Sequence, residues 1–229
     1  MRSRADVLFA LLTALTIAPS LSAIPSPAAA ASQIGRPVDR GGPMRVVLMV
    51  DTSDGVGAAV PQIRAAVAAF ADALPPEHEL MLVTTGRRME VRVQPTTDRK
   101  KIKDSANGLL AEHGPTPLID SLIEVDDRFM RKLETRWPAL VIITGDGSES
   151  SVATDDAAFN KWLASLPNRR ISIDAIVLRY KGNSLAENAA TAATRATGGH
   201  VDVTTAAGAL PEKMKAIAER LSGEHPGRR

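Results

Sequence analysis

From Met44 onward the sequence predicts an α/β fold: a doubly wound, mainly parallel six-stranded sheet with one antiparallel edge strand and helices on both faces. Three observations predict it. Several short runs are apolar almost throughout, as strands buried on both faces require. Between them, apolar residues recur three and four apart, the spacing of one helix face. One pair of strands is separated by a short Gly-containing gap, which fits a hairpin and not a crossover helix.

The elements follow in order. Met44 to Val50 is apolar except for Arg45 and ends at Asp51. Val60, Ile63, Val67, Phe70 and Leu74 form the next helix face, and Pro75-Pro76 stops that helix. Glu79 to Thr84 and Met89 to Val93 are the two hairpin strands around Gly86-Arg87. Thr97-Asp98 caps a helix running to about Leu110, with Gly114 as its terminator. Pro117 suits the first turn of the following helix, whose inward face is Leu118, Leu122, Val125 and Phe129. Pro138 to Thr144 is a second buried strand, leading to Asp146. Thr154-Asp155-Asp156 opens a helix with Phe159, Trp162, Leu163 and Leu166 inward. Ile171 to Leu178 is a strand, Ser184 to Ala196 an Ala-rich helix closed by Gly198-Gly199, and His200 to Val203 a short strand. The last helix holds Leu210, Met214, Ile217 and Leu221 and ends at Gly223.

Upstream, Arg2 and Arg4 precede Val7 to Ala18, a run of twelve residues that is apolar except for Thr13 and Thr16. A bilayer-spanning helix needs roughly 20 residues, so the run is too short to be one. Pro19 ends it, and small residues follow in Leu21-Ser22-Ala23 and Ala28 to Ala31. This is the layout of an export signal, with removal expected between Ala23 and Ala31 and an uncleaved anchor as the alternative. The expected division is a signal peptide at 1–31, a Pro- and Gly-rich linker at 32–43, one domain at 44–222 and a tail at 223–229. The expected location is exported, periplasmic or extracellular, with no stable membrane span after signal removal. The chain has no cysteine, which excludes acylation as a lipoprotein, disulfides and thiolate metal sites.

Composition narrows the function. The 28 Lys and Arg against 26 Asp and Glu leave a net charge of +2, and aromatics are only 3%. No basic stripe with stacking aromatics is present, so nucleic acid is not the expected partner. In open parallel sheets, ligands sit beyond the carboxyl ends of the strands, where strand order reverses. The first strand delivers Asp51, Ser53 and Asp54 there, the strand before Gly145 delivers Asp146, and the loop before Pro117 delivers Thr116. Two carboxylates and two hydroxyls on one edge are hard-oxygen donors of the kind Mg²⁺ takes in an octahedral shell.

These residues also carry a resemblance. The order strand, helix, hairpin, two helices, then strand and helix in alternation resembles the von Willebrand factor type A domain over about residues 44 to 222. Asp51 and Ser53 resemble the first two positions of that family's Asp-x-Ser-x-Ser. Thr116, within Gly114-Pro115-Thr116-Pro117-Leu118-Ile119-Asp120-Ser121-Leu122, is similar to its Gly-Thr-x-Leu-x-Asp-Ala-Leu segment. Asp146, in Thr144-Gly145-Asp146-Gly147, is similar to its Thr-Asp-Gly with Gly145 inserted, and Ala196-Thr197-Gly198-Gly199 to its Ala-Thr-Gly-Gly. The resemblance implies a metal-ion-dependent adhesion site of Asp51, Ser53, Thr116 and Asp146, holding Mg²⁺. It also implies adhesion to, or assembly with, a protein partner that presents an acidic residue to the metal. Gly55 stands where the family has its second Ser, so one hydroxyl ligand is missing. A metal-free scaffold with a degenerate site is the alternative.

Enzyme signatures are absent. No Gly-x-x-x-x-Gly-Lys-Ser loop and no Gly-x-Ser-x-Gly elbow occurs. A phosphohydrolase with Asp51 as nucleophile would place a second Asp two residues on, where Ser53 stands. His113 is the only histidine near the expected site and reads as a loop residue. The expectation is a protein that is not an enzyme.

Overall fold

The computed structural model describes residues 42–151, 157–182 and 184–225, all within one compact unit. The apolar run Val7 to Ala18, the expected cleavage region and the helix cap at Thr154 to Asp156 lie outside these residues. Among the described residues, no helix is long and apolar enough to cross a membrane.

Six strands form one sheet: β1 (Met44–Val50), β2 (Glu79–Thr85), β3 (Met89–Thr96), β4 (Trp137–Gly145), β5 (Ser172–Leu178) and β6 (Val201–Thr204). Their spatial order is β3-β2-β1-β4-β5-β6, with every pair parallel except the β2–β3 hairpin at one edge. The helices are α1 (Val60–Ala73), α2 (Arg99–Asn107), α3 (Leu118–Val125), α4 (Ala157–Ser165), α5 (Leu185–Thr197) and α6 (Leu210–Glu224).

Strand period two builds the two core layers. Val46, Leu48 and Val50 of β1 face one side and pack with Ile63, Val67 and Phe70 of α1 and with Met214 and Leu221 of α6. Val47 and Met49 face the other and pack with Leu118 and Leu122 of α3 and Ala186 and Ala190 of α5. All seven residues of β1 except Arg45 are buried. At about 25 cal/mol per Å² of apolar area removed from water, this two-sided burial is what holds β1 at the centre of the sheet.

Element ends differ from the sequence expectation where side chains, not periodicity, decide them. Asp98 alone caps α2, accepting from Lys100 N and Lys101 N. That helix stops at Asn107, with Gly108 as its C-cap, so Leu109 turns inward and Leu110 projects into solvent, 70% exposed. Pro117 is the N-cap of α3 and not its first turn, and the helix runs on through a π turn over Asp126–Met130. There Asp126 is buried, takes both guanidinium ends of Arg169, and accepts from Trp162 Nε1 at 3.0 Å.

Strand order reverses at β1, whose neighbours are β2 and β4. The crevice at the carboxyl ends of β1 and β4 is therefore where the topology places a site.

Candidate functional site at the carboxyl edge

Three loops meet in this crevice, tied by backbone hydrogen bonds. Glu112 N donates to Thr52 O at 2.7 Å and Asp54 N to Gly114 O at 3.1 Å, joining the loop after β1 to the loop after α2. Thr116 N donates to Ser148 O and Ser150 N to Thr116 O, both at 2.9 Å, joining the latter to the loop after β4. Thr116 thus lies on the same edge as Asp51, as the sequence expects.

The four residues expected to bind metal share this edge, with the Ser53 side chain beside the Asp51 carboxylate and with Thr116 and Asp146 each engaged by other partners. Asp51 is fully buried at the end of β1. Its Oδ1 accepts from Ser53 N at 2.8 Å, and its Oδ2 from Thr144 Oγ1 at 3.2 Å and Gly145 N at 3.3 Å. Burial pushes the Asp51 carboxyl above the usual carboxylate range, and these hydrogen bonds offset part of the shift. Ser53 Oγ accepts from Gly55 N at 3.3 Å within the turn. Thr116 Oγ1 donates to Thr85 O at 2.6 Å, toward β2.

Asp146 sits on the other side of the crevice. Its Oδ2 accepts three backbone N–H groups, from Tyr180 and Gly182 at 2.8 Å each and from Lys181. Burial alone would raise its carboxyl, but the amides of Lys181, Gly182 and Tyr180 together hold it below the usual range. Partial burial, with the same carboxylate adding to it, pushes the Tyr180 hydroxyl upward.

Glycine explains the displacement of Asp146. A Cβ on Gly145 would stand 2.6 Å from Gly55 O and 2.8 Å from a Val56 methyl. Position 145 therefore faces the turn after β1, and only a residue without a side chain fits. The inserted glycine shifts the acid by one residue, to position 146, where it meets the loop after β5. Gly55 and Gly147 complete the contact, since a Cβ on Gly55 would lie 2.9 Å from both Gly147 Cα and Gly147 N. The space a hydroxyl at position 55 would occupy is filled by the backbone of the loop after β4.

This donor set does not fit the octahedral oxygen shell expected for Mg²⁺ at Asp51, Ser53, Thr116 and Asp146. Gly55 supplies no ligand, backbone fills its place, and Asp146 Oδ2 is saturated by three amides. Among the described residues, no cluster of three or more His, Cys, Asp or Glu could hold a metal ion.

What the edge does present is a cleft of about 490 Å³, lined by Asp54, Gly55, Pro115, Asp146, Tyr180 and Lys181 among others. Tyr180 is 49% exposed, and Lys181 is exposed beside it. Asp54 points outward, accepting from Gly114 N at 2.8 Å and lying 3.3 Å from the exposed His113 Nδ1. Glu149 caps α3 instead, its Oε2 accepting from Leu118 N at 3.1 Å. Sequence reading missed Tyr180, Lys181 and Glu149. Each acts through a contact more than 30 residues away, and no local spacing signals such a contact.

The architecture is that of a doubly wound α/β domain with a cleft at the carboxyl edge of its sheet. The model of the von Willebrand factor type A domain matches residues 46–149. Together with the element order and the mixed sheet, this match marks residues 46–149 of the chain as von Willebrand factor type A domain sequence. Among solved structures it is similar to a von Willebrand factor type A protein from Catenulispora acidiphila, with 15% identity and a TM-score of 0.64 over 78% of this chain and 42% of that one. It therefore spans about two fifths of that relative's length. It is also similar to the von Willebrand domain of the type V pili tip protein Mfa5 from Porphyromonas gingivalis, with 11% identity and a TM-score of 0.60 over 82% and 98% of the two chains. A third is proximal thread matrix protein 1 from the mussel byssus, in a form with a zinc-occupied adhesion motif, with 15% identity and a TM-score of 0.62 over 81% and 47%. No curated protein matches the chain.

Proposed function

We propose that this chain is an exported, non-enzymatic protein-interaction module that docks its partner at the carboxyl-edge cleft without a metal. The observation that carries this reading is the Gly55–Gly147 contact, which fills with backbone the place of the family's second Ser hydroxyl. With Asp146 Oδ2 engaged by three amides, the cleft's outward groups are the Asp54 carboxylate on one side and the Tyr180 ring and the Lys181 ammonium on the other. Tyrosine anchors and rim cations are common recognition elements. An acidic residue on the partner meets Lys181 here, in the role a metal plays elsewhere in the family. The pilus-tip neighbour supports the reading of an exported binding domain, and the apolar run at Val7 to Ala18 supports export.

Several features speak for binding over catalysis. Asp51 is buried, and both its oxygens accept hydrogen bonds, which suits a structural residue and not a nucleophile. Asp54, the nearest second acid in the turn, is turned to Gly114 and His113.

One observation favours a metal-bound form as the second reading. Asp51 is a buried carboxylate with no cationic partner among its contacts, and a cation beside it would relieve the desolvation.

The test is affinity capture from an envelope fraction, with wild type, Lys181→Glu, Tyr180→Ala and wild type plus chelator. Specific capture is expected to fall in both variants and to survive the chelator. Capture that is indifferent to both substitutions would place the surface elsewhere. Capture abolished by chelator would establish the metal-bound form instead.

A further inference from the structure

The opposite pole of the domain carries a second pocket, far in sequence from the carboxyl-edge loops. It encloses about 250 Å³ where β4 begins, and its lining includes Arg131, Arg136, Arg169, Arg170, Trp137 and Glu134. Four guanidinium groups against one carboxylate in so small a space is an imbalance that the carboxyl-edge function does not use.

Neighbouring acids account for three of the arginines. Arg169 is taken by the buried Asp126. Arg131 pairs with Asp127 at 2.8 Å, and Arg136 with Glu79 at 3.1 Å while donating to Glu77 O at 2.9 Å. A guanidinium has five N–H donors, more than these contacts use on Arg131 and Arg136. Arg170 is different. Among the described residues, no carboxylate pairs with it. Its guanidinium lies 5.5 Å from the centre of the Trp137 ring, a cation–π contact that holds an exposed, charged fork in place over the pocket.

We propose that this pocket is a binding site for a phosphate-type oxyanion, recognised by Arg170 on the Trp137 ring with Arg131 and Arg136 beside it. Guanidinium forks match phosphate oxygens with paired, charge-assisted hydrogen bonds. Three forks from two chain segments suit a tetrahedral anion better than a planar carboxylate. The volume is below the roughly 300 Å³ at which drug-sized ligand pockets begin, so a small anionic group fits and a large organic ligand does not. Such a group comes either as free phosphate or as a phospholipid headgroup.

The test uses the full chain, wild type and Arg170→Gln. Arg170 is exposed and makes no ion pair among the described residues, so its loss leaves the fold intact. Inorganic phosphate is titrated at constant ionic strength while the Trp137 indole N–H signal is followed by NMR. The expected result is a saturable shift in wild type, weakened about tenfold or more in Arg170→Gln, with partial recovery in Arg170→Lys. Sedimentation with vesicles of phosphatidylcholine, with and without phosphatidylglycerol, separates the sources. Vesicle binding that needs both phosphatidylglycerol and Arg170 identifies a headgroup, and its absence alongside phosphate binding identifies the free anion. The N-terminal apolar run is common to both proteins, so the difference between them isolates the pocket. A titration that does not saturate, or that is equal in wild type and Arg170→Gln, overturns the proposal.

Discussion

Replacing Gly55 by Ser restores the hydroxyl that the family's motif carries, yet the structure opposes the change. The new Cβ would sit 2.9 Å from both Cα and N of Gly147, where ordinary contact begins near 3.4 Å. The overlap is against backbone. Gly147 is held on one side by the end of β4 and on the other by the Ser148–Thr116 hydrogen bond of 2.9 Å. Gly55 is not among the glycines with positive φ, so the cost is steric and not conformational. Overpacking of this kind costs about 1–3 kcal/mol. For a domain of this size each kcal/mol lowers Tm by about 2–4 °C, so a mid-range cost lowers it by about 4–8 °C. The assay is urea unfolding of both forms, with titration calorimetry against Mg²⁺. The expected outcome is a lower midpoint at unchanged slope and no gain in Mg²⁺ affinity. A variant as stable as wild type, or one that binds Mg²⁺ more tightly, refutes the reasoning that the two loops are in contact.

Three further outcomes follow from the same structure. Asp146→Ala removes the acceptor for three amides, so hydrogen exchange at Tyr180, Lys181 and Gly182 should speed up and stability should fall by about 2 kcal/mol; unchanged exchange would mean that the carboxylate does not hold the loop. His78 is buried and accepts from Met44 N through Nδ1 at 3.0 Å, so it is neutral in the fold. Burial pushes its pKa below the ordinary 6.5, Glu77 opposes the shift, and Arg99 and Arg136 add to it. The unfolded chain then binds more protons, so stability should be full above about pH 6.5 and decline as pH falls below it; His78→Gln should flatten that dependence in urea titrations. Arg169→Ala strands the buried Asp126 carboxylate and should cost about 3 kcal/mol, while a loss under 1 kcal/mol would show that Arg131 and Trp162 suffice.

The fold was legible because its strands are buried on both faces, and burial writes continuous apolar runs such as Val46 to Val50 into the chain. The hairpin was legible from the short gap and its glycine. The site was legible only in outline. Strand ends place Asp51 and Asp146, and the loop before Pro117 places Thr116, on one edge, but the direction of each side chain depends on partners distant in sequence. Thr116 turns to Thr85, and Asp146 turns to a loop 34 residues away. In the sequence Gly145 reads only as an insertion in the Thr-Asp-Gly pattern. In a strand, one extra residue sends the following side chain to the other face, and that shift separates the two acids. Nothing local to Gly55 or Gly147 announces that they touch.

The central claim is that the carboxyl edge works without a metal, and thermal unfolding of the wild-type chain in excess Mg²⁺ and in chelator tests it most directly. A site saturated a hundredfold above its dissociation constant adds about 2.7 kcal/mol, or about 5–11 °C at this size. The expected result is the same Tm in both solutions. A Tm that rises with Mg²⁺ by several degrees and falls back with chelator, and that loses this response in Asp51→Ala, would contradict the claim.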